Sequence, residues 1–188
     1  MPPATSADDA VSGVSPDSAG PGPAGPGLVG PGRVAVVTGA ASGIGLGLCE
    51  RFAAAGMSVV MADVEEAALD RAAVGALRDA ALSAFGAVHV VCNNAGVGGS
   101  HGPLWEMPPG EWDWVLGVNL EGVMNGVRTF MPVLLEQDSA HLVNTSSVFG
   151  VFAGALGAYG VSKHAVTALT ETLHFNLKTL GVTHVGLS

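Results

Sequence analysis

Tyr159 and Lys163 stand four residues apart in the run Tyr159-Gly160-Val161-Ser162-Lys163. On a helix this spacing puts a phenol and an amine on one face, one turn apart. A free phenol titrates near about pH 10. A neighbouring ammonium favours phenolate, which suits Tyr159 to general acid–base work closer to neutral pH. Such a pair also arises by chance. The chain holds a single tyrosine, however, and it lies downstream of a glycine-rich turn with chemistry of its own.

That turn is Thr38-Gly39-Ala40-Ala41-Ser42-Gly43-Ile44-Gly45. Gly39 permits a tight turn, Gly43 lets the backbone approach a pyrophosphate, and Gly45 lets a helix pack closely on the preceding strand. The N–H groups at the start of that helix favour phosphate charge. Asp63 follows about 20 residues on, at the end of the next strand. A carboxylate there accepts the ribose hydroxyls of NAD and repels the 2′-phosphate of NADP, and no Arg or Lys sits beside it or in the turn. Simple capping of the following helix is the plainer role for Asp63. The chain has no GxxxxGK[ST], which excludes a P-loop.

The elements that must position these groups alternate. Val34-Ala35-Val36-Val37 is a short apolar run of the kind buried on both faces of a parallel sheet. A helix is expected over 44–55, a second strand over 58–62, and one long helical pattern over 65–85. A third strand spans 88–92, a long helix 112–135 with a break near Pro132, and a strand 141–145. A helix over 158–180 leads into a last strand over 182–187. Strand and helix in alternation imply a parallel sheet with helices on both faces.

The TGxxxGxG spacing followed by YxxxK resembles the classical short-chain dehydrogenase/reductase family. Asn93-Asn94-Ala95-Gly96 is similar to its NNAG motif, Asn119 in Val118-Asn119-Leu120 to its helix asparagine, and Asn144-Thr145-Ser146-Ser147-Val148-Phe149-Gly150 to the strand end that donates its catalytic serine. The resemblance implies a catalytic set of Asn119, Ser147, Tyr159 and Lys163. Tyr159 would be the proton donor, Lys163 would also bind the nicotinamide ribose, and Asn119 would support a water path to the lysine. It implies cofactor contacts from Gly39, Ser42, Gly43, Ile44, Gly45, Asp63, Asn93, Ala95 and Gly96 as well as Tyr159 and Lys163. The Ser-x-x-Gly pattern selects Ser147 as the serine, whereas the family's usual offset from the tyrosine selects Ser146. The implied reaction is hydride transfer between NAD, less readily NADP, and a secondary alcohol or ketone.

The family pattern has two helices and a strand between Asp63 and Asn93, where one helix fits here, and it continues past the last strand into a lid. The expectation is an α/β three-layer Rossmann fold with a parallel sheet, lacking one edge strand and the C-terminal strand and lid. Right-handed crossover places the 65–85 helix on the sheet face opposite the first helix. The first helix is then alone on its face, and the bare strand surface beside it is expected to drive association.

Composition bounds the rest. The chain has 188 residues, 48% hydrophobic and 12% charged, with a net charge of −9. An acidic chain without a Lys/Arg cluster argues against nucleic acid or an anionic membrane as partner. Cys49 and Cys92 have no disulfide or zinc spacing, the six histidines are scattered, and no metal is expected. Reduced cysteines and the lack of a basic start with an apolar stretch point to the cytoplasm. Residues 1–32, rich in Pro, Gly, Ser and Ala, read as a disordered tail before an incomplete dinucleotide-binding domain over 33–188. Two functions are open. One is an NAD-dependent dehydrogenase, which the family resemblance implies would pair, if complete, as a homodimer or homotetramer, the helices over 112–135 and 158–180 corresponding to those the family uses for dimer contacts. The other is a catalytically weak or inactive dinucleotide-binding or dimerisation module of the same fold. Val97, Gly98, Phe149, Val151, Phe152 and Leu156 flank the expected site and suit either an apolar ligand or core packing.

Overall fold

The computed structural model describes residues 27–63, 71–154 and 156–188. Five strands form one parallel sheet: β1 (Val34–Thr38), β2 (Ser58–Ala62), β3 (Val90–Asn93), β4 (Ala140–Asn144) and β5 (Val185–Leu187). Their order across the sheet is β2-β1-β3-β4-β5. The helices are α1 (Gly43–Ala54), α2 (Arg71–Phe85), α3 (Pro109–Leu116), α4 (Gly122–Leu134) and α5 (Gly157–Thr179). This is the three-layer Rossmann arrangement, a parallel sheet between layers of helices. Of the expected 65–85 helix, the first turns lie outside the described residues. The same holds for the Pro/Gly-rich segment through residue 26. From residue 27 the chain runs onto the fold: Leu28 packs against the α1-side core, and Gly27 O accepts from Arg33 Nε at 3.1 Å.

The sheet order dictates which helix covers which face. The link from β2 to β3 must pass over β1, and a right-handed crossover carries it to the side opposite α1. One core accordingly joins Val36, Val91 and Leu142 of the sheet to Val74 and Ala81 of α2, Phe130 and Leu134 of α4, and Leu177 of α5. The other joins Ala35, Val37, Val90 and Cys92 to Cys49 of α1 and to Met57. β1 is buried along its whole length because both faces are covered. On the α1 side, Met61 of β2 is 51% exposed, and His141 and Val143 of β4 are half-buried.

One expected break is displaced. Pro132 does not end its helix: α4 runs on to Leu134, and Leu135 N still bonds Met131 O at 3.0 Å. Proline costs a helix one bond and a clash one turn back, and so close to the terminus few bonds remain to be lost. The irregularity lies instead at Gly117–Glu121, a turn of π-helix between α3 and α4. The wider winding turns Asn119 into the interior, where it is 0% exposed.

The end of the sheet remote from the glycine turn carries a polar anchor. Arg33, 6% exposed, pairs both terminal nitrogens with Asp138, at 2.6 and 3.1 Å. Beside it, Val34 N donates to His89 Nδ1 at 3.1 Å, which requires an unprotonated Nδ1. Burial first, and the Arg33 charge second, hold His89 below its ordinary 6.5. The unfolded chain therefore takes up a proton at a higher pH than the folded one does. Stability from this site is complete above pH 6.5 and declines as pH falls from there towards the depressed folded value. His141, lowered by burial, acts in the same direction. We expect His89→Asn, whose amide oxygen can accept the same bond, to flatten the fall in Tm below pH 6.5. Thermal melts across the range check this, and an unchanged slope would contradict it.

Candidate active site

Both cores end at the carboxyl edge of the sheet, where the strand termini splay around a cleft of about 760 Å³. The glycine turn forms one end. Gly39 has φ +65, and a Cβ there would lie 2.8 Å from Ala95 Cα, so both conformation and space demand glycine. A Cβ on Gly45 would collide with the Gly39 carbonyl oxygen and reach Asn94 Nδ2. α1 can sit this close to β1 because that position has no side chain. Around Gly43, in contrast, a Cβ would meet nothing within 4 Å. Ser42 caps α1 without a side-chain bond, so the helix start opens on the cleft. Asp63, just beyond β2, accepts from Ala41 N through one carboxylate oxygen at 2.6 Å.

The strand-end asparagines divide the labour. Asn93, 4% exposed, donates to Asn144 Oδ1 at 2.8 Å, and Asn144 donates to Thr170 Oγ1 at 3.0 Å, which ties β3, β4 and α5 together. Its side chain packs on Gly126 of α4, where a Cβ would not fit. Asn94 points the other way. Its Nδ2 donates to Thr38 O at 3.0 Å, its Oδ1 accepts from Thr145 Oγ1 at 3.2 Å, and its N–H is held by Thr38 Oγ1 at 3.0 Å. It thus fixes the glycine turn against β4. Asn94 was absent from the expected contacts, although successive residues at a strand end face opposite sides, and that rule separates the pair.

The other end of the cleft is built by α5 and the turn after β4. Tyr159 and Lys163 lie on one face of α5, with Lys163 Nζ 5.7 Å from the centre of the Tyr159 ring. Phe149 meets that ring edge-on, 6.4 Å between centres and at 73°. Lys163 is 4% exposed and donates to Thr145 O at 2.7 Å. Burial lowers its pKa from the usual lysine range.

The two serines differ. Ser146 Oγ is turned to α5, donating to Lys163 O at 3.1 Å and lying 2.8 Å from Thr167 Oγ1. Ser147 Oγ accepts from Phe149 N at 3.2 Å as the cap of the short turn Val148–Gly150, which leaves its hydroxyl proton free to turn into the cleft. Both border the cleft.

Asn119 does not border it. Its Oδ1 accepts from Val97 N at 2.8 Å, and its Nδ2 donates to Val97 O at 2.9 Å and Ser162 Oγ at 3.0 Å. Ser162 Oγ in turn donates to Tyr159 O at 2.7 Å. The side chain thus pins the loop after β3 to α5. The remaining expected residues, Gly39, Ser42, Gly43, Ile44, Gly45, Asp63, Asn93, Ala95, Gly96, Ser147, Tyr159 and Lys163, all line this one cleft. So do Val97, Gly98, Phe149 and Leu156, whereas Val151 and Phe152 are exposed outside it at 76% and 63%. His101, Trp114, Val118 and Val123 also line the cleft, and no spacing in the sequence pointed to them.

A parallel sheet whose first strand turns through glycines into a helix, with an acidic residue closing the second strand, defines a Rossmann-type nucleotide-binding fold. The short chain dehydrogenase family profile matches residues 33–75 and 67–188. The chain belongs to the short-chain dehydrogenase/reductase family. It is 43% identical over 175 residues to 1-deoxy-11-beta-hydroxypentalenate dehydrogenase of Streptomyces exfoliatus, an alignment covering 80% of this chain and 64% of that enzyme. It is 34% identical over 174 residues to 3beta-hydroxysteroid dehydrogenase 2 of Eggerthella lenta, covering 80% of this chain and 67% of that one. A short chain dehydrogenase/reductase from Burkholderia phymatum, solved in complex with NAD, superposes with a TM-score of 0.79 at 44% identity, covering 86% of this chain and 64% of that one. The chain thus spans 64% of the length of the Streptomyces exfoliatus relative.

The residues present fit a nicotinamide dinucleotide. Gly43 leaves open space at the α1 terminus, where a diphosphate would be held by backbone N–H groups. Asp63 keeps one carboxylate oxygen beyond its bond to Ala41 N. Among the described residues, no three His, Cys, Asp or Glu side chains gather as a metal site would require, and no helix is long and apolar enough to cross a membrane.

Proposed function

We propose that this chain carries the site of an NAD-dependent oxidoreductase that interconverts a secondary alcohol and its ketone. One observation carries the reading: Tyr159, Lys163 and Ser147 share a single cleft with the Gly39–Gly45 turn and Asp63. A bound nicotinamide supplies the hydride acceptor or donor. Tyr159 takes the hydroxyl proton of the alcohol in oxidation and returns one to the ketone oxygen in reduction. The Lys163 ammonium, held in place by Thr145 O, stabilises negative charge on the phenol oxygen. The Ser147 hydroxyl donates to the substrate oxygen and orients it towards Tyr159. Asn119 acts at one remove, fixing Val97 and, through Ser162, the turn of α5 that bears Tyr159.

The Asp63 carboxylate favours NAD over NADP, since a 2′-phosphate would meet its charge and no neighbouring cation. The NAD-bound Burkholderia phymatum structure supports this choice. Val97, Trp114, Phe149 and Leu156 on the cleft walls favour an apolar alcohol, in keeping with the pentalenate and steroid substrates in the names of the relatives. Exposed Val161, Phe175 and Leu180 on and beside α5 offer a surface for pairing with a second copy. Cys49 and Cys92 are buried free thiols, and burial pushes Cys92 up to about 12. Such inert thiols suit a reducing compartment such as the cytoplasm.

The serine assignment has its own test. Ser147→Ala is expected to lower kcat by about 10²–10³-fold, as loss of a donor to the reacting oxygen does, with little change in Tm. Ser146→Ala should leave kcat within a few-fold and lower Tm instead, because its hydroxyl serves α5. The reverse pattern in paired kinetics and melts would transfer the role to Ser146.

A further inference from the structure

Between β3 and α3 the cleft is walled by a stretch with no regular structure, residues 97–101. A wall of this kind needs fixed points, because a loop without a ladder of backbone bonds samples many conformations. One fixed point is Val97, held through both its N–H and its C=O by the Asn119 amide. The other is Ser100. Its hydroxyl donates to Glu111 Oε2 at 2.7 Å and its N–H donates to Glu111 Oε1. Both carboxylate oxygens of Glu111, in the first turn of α3, thus grip one residue of the loop. The pair of bonds holds the Glu111 carboxyl below the usual range.

The packing around this grip is specific. Gly99 has φ +78, and a Cβ there would lie 3.0 Å from Val115 Cγ2 and 3.1 Å from Glu111 Oε1. The loop backbone is pressed against α3 at the point where the carboxylate reaches it. On the far side, Gly157 at the start of α5 has Met107 Sδ at 2.5 Å and Ser100 O at 3.6 Å from where its Cβ would lie. Ser100 is therefore set between α3 and the turn of α5 that leads to Tyr159. Gly98, Gly99 and His101, on either side of the gripped residue, line the cleft.

We propose that Glu111 is a positioning residue for the substrate. It latches the 97–101 wall to α3 and so fixes the shape of the cleft beside the α5 turn that leads to Tyr159. The proposal rests on the oxidoreductase reading for its kinetic consequence, but the latch itself is a structural claim. The Glu111 carboxylate bonds Ser100, whereas the bond of Asp63 goes to Ala41 of the glycine turn, so loss of Glu111 should change substrate affinity and leave cofactor affinity alone.

Three variants of the chain test this: Glu111→Ala, Glu111→Gln, which keeps one acceptor oxygen, and Ser100→Ala, which removes only the hydroxyl bond. Glu111→Ala should raise KM for an apolar secondary alcohol by about tenfold, with kcat changed far less. NAD affinity should stay within about twofold. Glu111→Gln and Ser100→Ala should fall between it and the parent. Hydrogen exchange should quicken in the amides of residues 97–101 of Glu111→Ala and stay unchanged in β1 and the first turn of α1. An unchanged KM overturns the proposal, and so does a rise in KM joined by falls in NAD affinity and Tm, which would mark Glu111 as a general structural residue. A parent chain that binds NAD but oxidises no alcohol contradicts the oxidoreductase reading instead. In that case the exchange result alone decides the latch, and unquickened exchange in 97–101 overturns it.

Discussion

Tyr159→Phe is expected to reduce turnover by about 10²–10⁴-fold, the range a positioned acid–base group supplies, while NAD binding stays close to that of the parent. The substitution removes one oxygen and keeps the ring. The edge-on contact with Phe149 and the placement of the ring over Lys163 therefore survive. Lys163 keeps its bond to Thr145 O, so the α5 end of the cleft should hold its shape. Steady-state kinetics beside a cofactor titration separate the two effects. Turnover that survives in Tyr159→Phe would mean that the proton leaves by another route. Loss of NAD affinity in step with kcat would mean that the phenol serves binding rather than proton transfer.

Gly45→Ala should be as damaging by a different path. The added methyl group lands on the Gly39 carbonyl oxygen and close to Asn94 Nδ2. Neither partner is the flexible end of a side chain: one is backbone at a left-handed turn, and the other is bonded to Thr38 O. Accommodation requires α1 to lift away from β1, which spoils the helix start that faces the cleft. Overpacking of this kind costs about 1–3 kcal/mol or more, and we expect cofactor affinity and Tm to fall together. Gly47→Ala is the matched control, one turn-half further along α1. A Cβ there meets nothing within 4 Å, so alanine should be neutral or stabilise by up to about 1 kcal/mol through helix propensity alone. Equal effects from the two substitutions would mean that the close approach of α1 to β1 is not what the glycine serves.

The contrast between these two glycines shows how far the sequence could be read. The turn at Gly39 and the close packing at Gly45 were legible because their work is local: one strand, one turn, one helix start. The Tyr159–Lys163 pair was legible for the same reason, since helical periodicity alone puts both side chains on one face. The face taken by α2 followed from connectivity, because a right-handed link over β1 has one outcome. What escaped depends on distances between segments far apart in the chain. Asn94 reaching Thr145, and Glu111 reaching back to Ser100, leave no periodic trace. Asn119 was recognisable as a residue, but the bonds it makes were not. A π turn rotates it inward to hold Val97 and Ser162, and hydrophobic pattern does not encode winding at that resolution. Pro132 misled in the opposite sense. Its local rule is sound, yet near a helix end, with Leu134 fully buried beyond it, packing outweighs one missing bond.

The most direct test follows the hydrogen itself. A secondary alcohol carrying deuterium on its carbinol carbon is incubated with this chain and NAD, and the reduced cofactor is examined by mass and by proton resonance at nicotinamide C4. The account predicts one deuterium on one face of C4 for each ketone formed by the parent chain, with transfer all but lost in Tyr159→Phe. NAD bound tightly with no deuterium delivered to C4 from any alcohol of an apolar panel would contradict it.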